Sequence, residues 1–384
     1  MKILHVVRTI DPAAGGLPIV PVRLGAAQVA MGHSVFVLAE RDAAWTEAAL
    51  FRDVPGADRL GRLGVTRAGP LAMLGRGPVW GDLREHIGQV DVVHIHGLWE
   101  PLLWATAKTA RALGRPYLVA AHGMLDPWSL AQKRWKKRLA MMLGWRAILN
   151  RAAALHLLND DERRLVAALG LTAPTVIIPI GVPLAEIDEG RAASFAARHP
   201  AVGARPYVLF VSRLHYKKGL DFLAEAFCFV SLNHDDVQLV VVGPDGGARG
   251  DFERQVKAAG LTDRVHVLGA ISTSEKWDAL AGATCFCLPS RQEGFSQAIL
   301  EALAARVPVV ISEHCHFPEV AEHAAGMVVP LDDASIAAAL NLILSDPDSR
   351  RAMGAAGRRL VEGRFTWDRV AELSVAAYEQ AISR

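Results

Sequence analysis

Residues 285–312 read CFCLPSRQEGFSQAILEALAARVPVVIS. The opening CFCLPS is apolar and β-prone up to Pro289, so it reads as a buried strand closed by a residue that cannot extend the ladder. From Ser296 onward Ile299, Leu300, Leu303 and Ala304 recur at helical spacing, which starts a helix at about Ser296. PVVIS at 308–312 is a second apolar run. Strand, helix and strand in this order make the crossover of a parallel sheet. Glu293 falls in the loop at the strand's carboxyl end, and Glu301 lies inside the helix. The two acids therefore bracket a helix N-terminus, where free backbone N–H groups and the helix dipole favour an anion such as phosphate. A ligand with a phosphate in the middle and hydroxyls at both ends suits this arrangement.

Outward from this stretch, the same alternation fills the chain. The first half contains KILHVV, SVFVLAE, DVVHIHG, PYLVAAHG, ALHLLN and TVIIPIG; the second contains PYVLFVSRL, QLVVVGP, RVHVLGAI, CFCLPS, PVVIS and GMVVP. Strands this continuously apolar are covered on both faces, as in parallel sheets with helical crossovers. Residues 183–206, with Pro183 and HPAVGARP around a polar stretch, read as the linker. The expectation is an α/β protein of two doubly wound Rossmann-like domains, residues 1–183 and 184–365, facing across a cleft with ligands at strand carboxyl ends. FTWDRVAELSVAAYEQAI at 365–382 reads as one amphipathic helix, which makes 366–384 a separate terminal segment.

Composition agrees with a large buried core: of 384 residues 51% are hydrophobic and 21% charged, with a net charge of +2. So small a charge gives no case for nucleic-acid binding. Cys228, Cys285, Cys287 and Cys315 lack metal-finger spacing and read as free thiols of a reducing compartment. MKILHVVRTIDP is interrupted too early by Arg8 and Asp11 for a signal peptide, so the expected location is cytoplasmic.

Several other loops at strand ends share one chemistry. DPAAGGLPIV at 11–20 has Gly15 and Gly16 for close backbone approach and Pro18 for a helix start. SRLHYKKGLDFL at 212–223 places Arg213, Lys217 and Lys218 before a helix, where a diphosphate wants a guanidinium fork and an ammonium. VVGPDGG at 241–247 is no dinucleotide fingerprint, because Asp245 stands where a glycine is needed.

EGFSQAILE resembles the E-x7-E element, and SRLHYKKG the R-x4-K element, of the retaining nucleotide-sugar glycosyltransferases of the GT-B fold, in the large family numbered 4. GGLP, AHG at 121–123, VIIPIGV, VVGPDGG and VHVLGAIS fall in the family's order. The resemblance implies that Glu293 meets the donor sugar's hydroxyls and Glu301 the ribose. Backbone groups of Gly294, Phe295, Ser296 and Gln297 would meet the sugar and diphosphate. Arg213 and Lys218 would neutralise the diphosphate, Gly16 would close over it, and His122 would stand near the reacting sugar. Leu268 to Ala270 would hold the base, with the loop from Gly243 helping to choose the donor. The terminal helix would cross back to the first domain. Ile180 departs from the family, which commonly has Asn there. No metal and no cofactor is implied; the donor is a nucleotide sugar and the acceptor a glycan or a lipid-linked sugar. The alternatives are a UDP-sugar 2-epimerase of similar fold and a nucleotide-sugar-binding protein without turnover.

Other polar clusters read as structure. DPD at 346–348 is a turn and EHCHFPE at 313–319 a surface loop, while His94 and His96 at a strand end read as packing residues, with a role on the acceptor side as the alternative. Asp126 is either a turn cap or polar lining. SLAQKRWKKRLAMMLGWRAILNR at 129–151 is expected to be one helix from Leu130, capped by Ser129 and Gln132. Trp135, Leu139, Met142, Trp145 and Leu149 then form a stripe, while Lys133, Arg134, Lys136, Lys137 and Arg138 give an unrelieved basic run. That run suits an anionic membrane surface, making the protein peripheral; an ordinary core helix is the other reading.

Overall fold

The computed structural model describes residues 1–384 apart from the side chain of Leu71. The chain divides into two compact units, residues 1–181 with 367–384, and residues 182–366.

Unit 1 is a seven-stranded parallel sheet of β1 (Lys2–Val6), β2 (Ser34–Glu40), β3 (Gly61–Val65), β4 (Val92–His96), β5 (Tyr117–Ala120), β6 (Ala154–Leu157) and β7 (Thr175–Ile177), in the order 3-2-1-4-5-6-7. Unit 2 holds β8 (Tyr207–Val211), β9 (Gln238–Val242), β10 (Val265–Gly269), β11 (Cys285–Leu288), β12 (Val309–Ser312) and β13 (Gly326–Val329), in the order 10-9-8-11-12-13. Every residue of β4, β9, β11 and β12 is buried, as expected for strands sandwiched between helices. Strand order reverses beside β1 and β4 in unit 1, and beside β8 and β11 in unit 2. Crevices at the carboxyl ends of such strands are where doubly wound sheets take ligands.

Two expectations need correction, and one strand lies outside the apolar runs. Strand β3, GRLGV, escapes an apolar pattern because its glycines are forced by neighbours: a Cβ on Gly61 would lie 2.2 Å from the Phe36 ring, and one on Gly64 2.6 Å from Trp45. Residues 183–206 are no loose linker, since helices Leu184–Asp188 and Ala192–Arg198 bury Ile187 and Phe195 in the core of unit 2. The stretch 129–151 is not one helix. Asp126 caps Pro127–Ala131, accepting from the Ser129 N–H at 2.7 Å. Lys133 (φ 53°) then breaks the chain before Arg134–Ala140. Gly144 (φ 133°) kinks it again, because a Cβ there would meet Trp104 at 2.3 Å. Trp145 and Leu149 turn into the core beyond this kink, whereas Trp135, Leu139 and Met142 stay exposed.

The terminal helix Trp367–Ile382 belongs to unit 1 and packs on helix Ile19–Ala30. Gly181 lets it begin there, since a Cβ would sit 2.7 Å from the Trp367 ring. Ile180, where the family has Asn, is a buried core residue.

Candidate active site

The switch point of unit 2 is assembled by backbone contacts that only glycine permits. The loops after β8 and β9 zip together: Leu214 N–H donates to Pro244 O at 2.9 Å, and Gly246 N–H to Leu214 O at 2.8 Å. Gly243 (φ 144°) makes this approach feasible, because a Cβ would stand 1.8 Å from Ser212 O. Asp245 is a turn residue, its carboxylate accepting from Gly247 N–H at 2.8 Å. Arg213 is left exposed beside this turn. Gly219 (φ 67°) carries the β8 loop across the end of β11, with room for no Cβ beside Pro289 O.

That crossing sets the central contact. Lys218 Nζ lies 2.6 Å from Glu293 Oε1, and the Ser290 hydroxyl donates to the same oxygen at 2.6 Å. Glu293 is 8% exposed, and its own N–H donates to His314 O at 3.0 Å. The EHCHFPE loop is therefore not merely surface: Cys315 is buried behind Glu293, and His314 lends the carbonyl that anchors it. Arg291 ties the two sides together, donating twice to Asp221 at 2.8 and 2.5 Å and stacking 3.9 Å over Tyr216.

Helix Gln297–Ala304 starts at once beyond this pair, and its N-cap Ser296 makes no capping hydrogen bond. The first-turn N–H groups are thus available to an anion. Glu301 faces a different partner, Lys276 Nζ at 2.7 Å. Phe295 packs its ring against Phe317 and Phe365, so only its backbone can serve a ligand. Leu268 lies at a bulge at the end of β10, where Gly269 O accepts from Gly243 N–H at 2.8 Å. Ser290, Arg291 and Lys276 escaped the sequence reading. Ser290 and Arg291 lie three and two residues ahead of Glu293, but nothing in the residue order links Lys276 to Glu301.

In unit 1 Gly16 is exposed in the turn before helix Ile19–Ala30. A cavity of about 190 Å³ opens at the carboxyl ends of β1 and β4, lined by Thr9, Leu17, Pro18, His96, Gly97 and Met124 among others. His122 follows β5 in a left-handed conformation (φ 49°), with its Nε2 3.2 Å from His96 Nδ1. Burial, with the nearby His156, holds the His122 pKa down at about 3. His94 and His96 are wholly buried, as are His5 on β1 and His156 on β6, a cluster that four strand-borne histidines could have signalled. Nitrogens of His5, His94 and His96 lie within 4.8 Å of one another, close enough to consider a metal ion. All six ring nitrogens of that trio already have hydrogen-bond partners, so a metal would have to break the set.

The basic segment borders a groove of about 900 Å³ lined by Leu130, Arg134, Arg138, Met141, Met142 and Ala147, among others. Lys137 is committed to the fold, donating to Ser129 O at 2.6 Å, and burial lowers its pKa. Lys133, Arg134, Lys136 and Arg138 are exposed. Among the described residues none of these four has an acidic partner, and Lys136 lies 5.4 Å over the Trp135 ring. Among the described residues no helix is long and apolar enough to cross a membrane.

Family comparisons agree with the site. The family described as "Glycosyl transferases group 1" matches residues 194–360, and the "Glycosyl transferase 4-like domain" matches residues 15–181. Phosphatidyl-myo-inositol mannosyltransferase of Mycobacterium leprae is 32% identical over 76% of this chain and 74% of its own length. A GDP-mannose-dependent alpha-(1-6)-phosphatidylinositol monomannoside mannosyltransferase of Mycobacterium tuberculosis is 28% identical over 96% of each chain. The Anabaena protein Alr3699/HepE, solved with UDP and glucose, superposes with a TM-score of 0.77 at 19% identity, covering 99% of both chains. The two relatives named here are transferases, which sets the epimerase reading aside. The chain belongs to the group 1 glycosyltransferases, with a family-4-like first unit and the two Rossmann-like units of the GT-B fold.

Proposed function

We propose that the protein is a retaining hexosyltransferase that moves a sugar from a nucleotide diphosphate to a lipid-linked acceptor, with GDP-mannose the first donor to test. The observation that carries this reading is the Lys218–Glu293 pair, set by Ser290 beside an uncapped helix N-terminus at the switch point of unit 2. The diphosphate occupies the start of helix Gln297–Ala304, where Arg213 and Lys218 offset its charge. Glu293 accepts from sugar hydroxyls and Glu301 from the ribose. The bond from the anomeric carbon to the phosphate oxygen breaks as a bond to the acceptor oxygen forms on the same face. The acceptor's proton passes to the departing diphosphate, so charge growing on that group is what the cations and helix stabilise.

Names of the relatives support mannose as the sugar and a phosphatidylinositol lipid as the acceptor. The exposed cations of 133–138, together with Trp128, Trp135, Leu139, Met142 and Leu143 at 44–84% exposure, support peripheral contact with an anionic membrane. The test is incubation with GDP-α-mannose and phosphatidylinositol vesicles, with proton NMR of the product's anomeric signal. An α-linked product together with GDP supports the reading. A β-linked product refutes retention, and free mannose alone refutes transfer.

A further inference from the structure

The histidine cluster of unit 1 has no part in the chemistry above, yet its hydrogen bonds have a single consistent direction. His156 Nε2 lies 2.6 Å from Ile178 O, a group that only accepts, so this nitrogen carries the proton and Nδ1 accepts. His94 Nε2 must then donate to His156 Nδ1 at 3.0 Å, and the Tyr378 hydroxyl to His94 Nδ1 at 2.6 Å. Ser374 donates to Ala371 O at 2.8 Å. With the Tyr378 and Ser374 protons both spent, the Gln28 group facing them at 3.3 and 2.8 Å has to be the NH₂ end. Gln28 Oε1 consequently points at His5 Nε2, 2.8 Å away, and receives its proton. The same alternation continues through His5 Nδ1 to His96 Nε2 at 2.9 Å, and through His96 Nδ1 to His122 Nε2 at 3.2 Å.

Two backbone carbonyls, Ile178 O and Ala371 O, thus determine the state of a ring on the opposite side of the network. This direction holds for neutral imidazoles, and burial keeps the rings neutral: His5, His94 and His96 are 0% exposed and His156 is 2% exposed. Reversing the row would leave a buried donor or two facing lone pairs somewhere along it, which costs more than a weak contact.

We propose that this chain locks His122 as the Nε2–H tautomer and so offers Nδ1 as a hydrogen-bond acceptor to a ligand hydroxyl at the carboxyl end of β5 in unit 1. Gln28, Ser374 and Tyr378 are its positioning residues, and through them the terminal helix sets the state of a ring on β5's carboxyl end. Among the described residues His122 Nδ1 is the one ring nitrogen of the five histidines without a protein partner. That the hydroxyl belongs to a substrate of the transfer rests on the function proposed above, whereas the tautomer does not.

The experiment is a two-bond proton–nitrogen correlation spectrum of the full chain with ¹⁵N-histidine at pH 7.5, with the His122 signal identified by its loss in His122→Gln. Five Nε2–H tautomers are expected from the cluster, His122 included. In Gln28→Met the row loses its direction: His5, His96 and His122 gain Nδ1–H character, and kcat falls about tenfold, the worth of one hydrogen bond, with KM for the nucleotide sugar little changed. An Nδ1–H His122 in the wild type overturns the proposal, as does stoichiometric zinc bound by His5, His94 and His96 in the isolated protein. Wild-type kcat in a folded Gln28→Met protein overturns the positioning role. The wild-type spectrum decides the tautomer even if that variant does not fold or no transfer is found.

Discussion

Glu293 has two neighbours on one oxygen, the Lys218 ammonium and the Ser290 hydroxyl, and this leaves its other oxygen for a ligand. Glu293→Gln removes the charge but keeps the shape. Transfer should fall by about 10²-fold or more while the protein remains folded. Stability should also drop by about 1–3 kcal/mol, because a largely buried Lys218 then lacks its counter-charge. The double variant Glu293→Gln/Lys218→Met should recover the stability and not the activity; denaturant titration beside a transfer assay separates the two effects. Near-normal turnover in Glu293→Gln would refute the role given to this carboxylate. The acid was legible in the sequence because it lies at a strand's carboxyl end ahead of a helix. Its anchors were less so: Ser290 and His314 act through contacts that the spacing of residues does not reveal.

Elements are placed here by glycines at close crossings. Gly219→Ala would put a methyl group on Pro289 O in a left-handed backbone, so the loop carrying Lys218 must move. A loss of about 1–3 kcal/mol in denaturant stability and a larger proportional loss of nucleotide-sugar affinity are expected, measured by denaturant titration and calorimetry. Unchanged affinity would show that the crossing does not position Lys218. The same physics explains which elements the sequence concealed. All twelve apolar runs hold parallel strands, while β3 hides behind Gly61 and Gly64, whose missing side chains are replaced by Phe36 and Trp45. Helical periodicity ran unbroken through Gly144, and only the closeness of Trp104 shows why the chain kinks there. That kink splits the stripe into a buried half and an exposed half, and the exposed half sharpens the membrane reading. Vesicles containing phosphatidylglycerol should sediment the wild type at low salt and release it at high salt. The variant with Lys133, Arg134, Lys136 and Arg138 changed to Gln should stay in the supernatant; equal binding by this variant would reject the surface.

For the whole molecule, the histidine cluster sets a pH dependence. Burial lowers the pKa of His5 and His156 to about 4, and that of His94 and His96 well below the usual value of 6.5. The unfolded chain therefore binds more protons than the folded one below pH 6.5, and stability falls as pH drops. It should be complete above about pH 6.5 and decline down to about pH 4, by about 1.4 kcal/mol per pH unit for each histidine that charges on unfolding. Denaturant midpoints at pH 7.5 and 5.5 measure it, and equal midpoints would contradict the burial of neutral rings. Transfer should persist in EDTA, because Arg213, Lys218 and a helix N-terminus carry the positive charge assigned to the diphosphate. Loss restored only by Mg²⁺ or Mn²⁺ would contradict that assignment.

Everything proposed for the chemistry depends on unit 2 binding a nucleotide diphosphate sugar through Lys218, Arg213 and the start of helix Gln297–Ala304. Thermal unfolding of the full chain with GDP-mannose, UDP-glucose and ADP-glucose tests it without any need for the acceptor. A ligand at a hundred times its dissociation constant adds about 2.7 kcal/mol, a shift of several degrees. The account predicts such a shift for at least one of these sugars in the wild type and its loss in Arg213→Met/Lys218→Met. A wild type that none of them stabilises, or a double variant that is stabilised equally, would contradict it.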